Sequence, residues 1–141
     1  MQKAKKTKKL TTKKVDVKAR HFIVFDPIFS QKIHVFVNTP IKKYYEFLRK
    51  FDVKFDEDSN YALKFGGFSS CIESKTGPPE FVIFVNRFDH SIASGETLIH
   101  EIVHTMIKIW DMNHIPYDYS TQEFMAWTIG NIWADIIVKL Y

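Results

Sequence analysis

Cysteine is almost missing from this chain: Cys71 is the only one in 141 residues. No internal disulfide can form, which fits a reducing compartment. A catalytic thiol would want an imidazole partner, and none is implied by position, so Cys71 is expected to be a buried strand residue. Long apolar runs are also lacking. The most apolar segment, 124–141, is interrupted by Asn131, Asp135 and Lys139 and reads as a core helix, not a membrane span. The first residues hold no apolar stretch of the signal-peptide kind. The expectation is a soluble, cytoplasmic protein with no membrane partner. Finally, no aromatic residue interrupts the lysine run near the start, so a stacking platform for bases is not indicated there.

What is present suffices for one packed domain: 45% of the residues are hydrophobic and 16% aromatic. Charge is divided unevenly. Residues 1–20 hold nine Lys/Arg and one Asp, so the other 121 hold eleven Lys/Arg and fifteen Asp/Glu. The net +4 is therefore a tail near +8 and a body near −4. A tail this rich in lysine cannot bury enough surface to fold alone. Residues 1–20 are read as a basic disordered tail and residues 21–141 as the domain. The tail could neutralise phosphates of a nucleic acid or meet an acidic surface, or serve only as a solvated arm.

One stretch reads as chemistry: His100-Glu101-Ile102-Val103-His104. Residues four apart on a helix share a face, so His100 and His104 can direct two imidazoles at one metal ion, Zn²⁺ by preference. Glu101 lies beside them, placed to take a proton from water. The surroundings suit a helix. Leu98, Ile102, Met106 and Ile109 recur at helical spacing, and Ser94 is a candidate N-cap for a helix over 96–111. Without a metal, the same pattern describes an amphipathic core helix with two hydrogen-bonded histidines.

A catalytic zinc needs a third protein ligand. Ile107 and Trp110 occupy the positions where a metzincin carries Gly and His, which excludes that pattern. His114, Asp118 and Glu123 are the candidates, and Glu123 is preferred. It opens a second helical run, 121–140, and Ala126 and Gly130 on its face would allow close approach to the first helix. A competing role exists: Ser120-x-x-Glu123 is a capping box, in which Glu bonds back to the N-cap amide.

With these residues in place, the segment from Thr97 to about Gly130 resembles the gluzincin zinc peptidases. It is similar above all to short metallopeptidases encoded by tailed phages. The resemblance implies His100, His104 and Glu123 as zinc ligands, Glu101 as general base and acid, and a polypeptide substrate. There are departures. Trp127 stands where larger gluzincins place an Asp that orients a ligand histidine. Asp111 and Asp118 could substitute, or be ordinary helix-end and turn residues. Tyr117, Tyr119 and His114 fall in the loop expected to overhang the metal, as oxyanion stabilisers or as loop anchors. The alternative function is a catalytically inactive zincin-like phage accessory, structural or binding protein, with nucleic-acid contacts through the tail.

The rest of the chain predicts strands over 21–25, 33–37, 61–65, 68–72 and 81–85, with a helix from Ile41 to near Asp52 after a Thr39 N-cap and Pro40. The fold class is α+β: a small mixed sheet packed on a helix, the motif helix and a C-terminal core helix, in a zincin-like layout. Phe81–Val85 could border the cleft as an edge strand, but five apolar residues in a row favour a central position.

Overall fold

The computed structural model describes residues 18–53, 64 and 66–141. In chain order these form β1 (Arg20–Phe25), β2 (Lys32–Val37), α1 (Ile41–Leu48) with a 3-10 turn (Arg49–Phe51), β3 (Gly67–Ile72), β4 (Glu80–Val85), α2 (Ile92–Met112) and α3 (Gln122–Leu140). The architecture is α+β, with one mixed four-stranded sheet and the three α-helices named above among the described residues. The expected strand over 61–65 and the tail up to residue 17 lie outside the described residues.

Strand order is β1-β2-β4-β3. β1 pairs antiparallel with β2, β2 parallel with β4, and β3 antiparallel with β4. A β1–β2 hairpin follows from Asp26, whose buried carboxylate accepts the amides of Ile28, Phe29 and Gln31 and so closes the turn. Phe81–Val85 is central, and five consecutive buried residues reflect cover on both faces. The edge on the other side of the sheet belongs to β3.

Alternation along the strands divides the core into two layers. Ile33, Val35, Phe81 and Ile83 point to the face covered by α2 and α3, where Leu98, Ile102, Met106, Ile109, Ile132 and Ile136 meet them. Phe36, Val82 and Phe84 point the other way, against Tyr44, Phe47 and Leu48 of α1. That second layer is rich in aromatic rings, with ring centroids of Phe68 and Phe84 at 5.1 Å and of Phe36 and Phe47 at 5.3 Å.

Helix ends differ from the sequence expectations. The motif helix starts at Ile92, a turn before the expected Ser94 cap. Ser91 is the N-cap and accepts the Ser94 amide at 3.2 Å, while Ser94 itself is buried. Pro40, not Thr39, is the N-cap of α1; the Thr39 hydroxyl donates instead to the carbonyls of Arg20 and Val37. At α3 the N-cap is Thr121, with no side-chain cap bond, so the Ser120–Glu123 capping box is not made. The turn is held by Asp118, which accepts the amides of Ser120 and Thr121 at 2.8 and 3.2 Å.

Ala126 and Gly130 do not make the helix contact expected of them. Both are exposed, and a Cβ built on Gly130 would meet nothing within 4 Å. Gly95 of α2 faces α3 instead, where a Cβ would lie in ordinary contact, 3.8 Å from the Trp133 ring.

Candidate functional site

α2 lies over β3 and β4 and buries Leu98, Ile102, Met106 and Ile109. Helical periodicity then sends the intervening stripe Glu96, His100, His104 and Lys108 toward the β3 edge. These four, with Glu101 and Thr97, face Gly67, Phe68 and Ser69 across an open cleft of about 510 Å³. The histidine rings are exposed, and their Nε2 atoms stand 3.0 Å apart. An ion bound to two imidazoles at about 2.1 Å each in tetrahedral geometry needs those nitrogens roughly 3.4 Å apart. The pair is thus within a few tenths of an ångström of a bidentate seat, and imidazole donors suit zinc.

Glu101 is buried at the base of the same cleft, at 6% exposure. Burial pushes its carboxyl above the usual range, against the pull of His100, His104 and Lys108. The wall beside it is Gly67. A Cβ there would sit 2.7 Å from the Phe84 carbonyl, 3.1 Å from Thr97 Cγ2 and 3.4 Å from Glu101 Cγ. Glycine lets β3 lie this close to the β4 backbone while α2 packs beside it.

Lys108 is a cleft residue that motif reasoning missed. Its ammonium donates to the Ser69 carbonyl at 2.7 Å and to the Ser69 hydroxyl at 2.8 Å, tying helix to edge strand. Burial lowers its pKa, with Glu101 and Cys71 acting in the opposite direction. The signal was available: Lys108 follows His104 by four, as His104 follows His100. Cys71 is half-buried in β3, and burial raises its thiol pKa.

The remaining candidates lie elsewhere. Glu123 is exposed in the first turn of α3 and does not line the cleft. His114 is exposed with φ +56°, in the turn after α2. Asp118 holds its own turn, and Ser120 keeps its carboxyl below the usual range. Tyr117 stacks near Trp110 and donates to the Ile107 carbonyl at 2.6 Å, the anchor role; burial and then Asp111 push its phenol up to about 12. Tyr119 is 89% exposed. None of these loop residues borders the cleft. Among the described residues, no three His, Cys, Asp or Glu side chains are gathered as a metal-binding set.

Comparison of the chain with protein-family models, with curated proteins and with solved structures finds no match. No helix among the described residues is long and apolar enough to cross a membrane.

Proposed function

We propose that the chain is a zinc-dependent peptidase of zincin-like arrangement, with His100 and His104 as metal ligands and Glu101 as the general base. One observation carries this: two Nε2 atoms 3.0 Å apart and a buried carboxylate share one open cleft beside β3, the edge strand among the described residues. A bound zinc ion supplies Lewis acidity toward a carbonyl and toward water. Glu101 takes the proton from the attacking water and returns it to the leaving amine. An extended peptide lies along β3 by strand addition, bonding to its backbone. Lys108, fixed by Ser69 at that edge, is the cation nearest to where an oxyanion develops.

The third ligand in this proposal is Glu123, by resemblance alone. Release of Glu123 from any capping duty leaves its carboxylate available, and the proposal requires it to move toward the His pair on metal binding. A cytoplasmic setting, in a bacterial or phage-infected cell, belongs to the same proposal and rests on the lone Cys71.

A second reading is a zincin-like binding or structural component without catalysis. It is favoured by the lack of a gathered third ligand among the described residues. Metal analysis and peptide-library cleavage separate the two. Wild type is expected to carry stoichiometric zinc, lost in His100→Ala and reduced in Glu123→Ala. Glu101→Gln is expected to keep zinc and lose about 10²–10⁴-fold in kcat. Zinc without cleavage of any peptide, and no effect of Glu101→Gln, would establish the second reading. A protein that cannot be loaded with zinc excludes both metal-based proposals.

A further inference from the structure

On the α1 face of the sheet, away from the His100 cleft, Glu80, His34 and His21 form a polar file through a largely aromatic layer. Lys32 Nζ and His34 Nε2 both donate to the Glu80 carboxylate, at 2.9 and 2.5 Å. His34 Nδ1 lies 3.1 Å from Nε2 of His21. The bond to Glu80 fixes the tautomer: His34 carries its proton on Nε2 and accepts from His21 through Nδ1. His21 is then left with Nδ1, an acceptor when the ring is neutral and a donor when it is charged. His34 is buried at 5% exposure, whereas His21 is exposed. The file thus links a half-buried carboxylate to a surface imidazole.

The surface end opens into a cavity of about 440 Å³, lined by His21, Arg20, Lys43, Lys50, Glu46 and Phe47 among others. Two lysines, Lys43 and Lys50, face one carboxylate, and that carboxylate is already paired: Lys43 donates to Glu46 at 3.0 Å. The cavity floor is aromatic, with His21 stacked on Phe36 at 4.0 Å and 7° and Phe47 edge-on at 5.4 Å. Arg20 borders the cavity through its backbone, whose carbonyl accepts the Thr39 hydroxyl, while its guanidinium donates to the Lys139 carbonyl on the other face of the sheet. A hydrophobe at position 34 would fill this layer with no polar group to satisfy, so the buried imidazole and its carboxylate are a costly choice for packing alone.

We propose that this cavity binds a phosphomonoester dianion, with Lys43 and Lys50 neutralising it and His21 sharing a proton with a phosphate oxygen. The second ionisation of a phosphomonoester lies near about 6, in the range of a histidine, so one proton can pass between the oxygen and Nδ1. The proton's charge on His21 is offset by Glu80 through His34, against the repulsion of Lys32, Lys43 and Lys50. A phosphodiester carries no such proton. An internal nucleic-acid backbone therefore meets only the cations.

The test is a titration of the full chain with inorganic phosphate and with AMP, followed by histidine ring NMR and by calorimetry. Both ligands are expected to shift the His21 and His34 ring signals together and saturably. His21→Phe keeps a ring on Phe36 and is expected to abolish binding. Lys43→Ala with Lys50→Ala is expected to weaken it by about tenfold or more. His100→Ala should leave it unchanged. Far-UV circular dichroism confirms that each variant is folded. The proposal is overturned if neither ligand moves the rings, or if the His21 and Lys variants bind as wild type does. It is also overturned if His100→Ala weakens binding, or if an oligonucleotide with hydroxyls at both ends moves the rings equally well.

Discussion

His34 shows how one buried polar residue makes stability depend on acid. Burial lowers its pKa below the ordinary 6.5, and only partly do the hydrogen bond and charge of Glu80 oppose this. His21 is lowered too, by burial and then by His34 and Lys50. For Glu80, burial acts upward, but bonds from Lys32 and His34 outweigh it and leave the carboxyl below 4.5. All three groups therefore bind protons more weakly folded than unfolded. Their contribution to stability is complete above 6.5 and declines as pH falls through the folded values, first for the histidines and then for Glu80. Denaturant midpoints followed by tryptophan fluorescence should drop between about pH 7 and about pH 5. His34→Gln should reduce that drop, and an unchanged drop would show that His34 does not titrate with folding.

At the scale of elements, the cleft depends on how near β3 lies to α2. Gly67→Ala puts a methyl 2.7 Å from a backbone carbonyl in the central strand, which cannot move aside as a flexible side chain can. The expected loss is about 1–3 kcal/mol, seen as a lower Tm, because overpacking must push β3 away from the central strand. A Tm equal to wild type would mean the strand relaxes freely. Here sequence reasoning went only so far. Periodicity found four of the five predicted strands within the described residues and all three helices, since apolar spacing directly reports burial. It also placed His100, Glu101 and His104 on one helix. It could not find Gly67, Ser69 or the path from Glu80 to His21, because these meet through sheet register between strands distant in sequence. It misassigned Ala126 and Gly130, since small size marks a possible approach while the rotation of the helix decides whether it occurs.

For the whole molecule, charge and topology set the terms. A body near −4 beside a segment near +8 makes 1–20 the source of any general affinity for polyanions. Non-specific DNA binding should fall steeply with salt and vanish when residues 1–20 are deleted, as gel-shift or anisotropy titrations would read. Retained binding after deletion would assign it to the folded domain. Topology has a different consequence. The seam between β2 and β4 is the sheet's only parallel pairing among the described residues, and it joins Ile33 to Phe81 across about a third of the chain. The β1–β2 and β3–β4 pairs are local and can form early, whereas this seam must await closure of a long loop. Until it closes, the chain is two half-sheets, each with an unpaired hydrophobic strand open to a wrong neighbour. The seam also brings His34 to Glu80. Refolding yield should therefore depend on protein concentration more than final stability does. The same late step that completes the sheet decides whether a newly made molecule matures or aggregates.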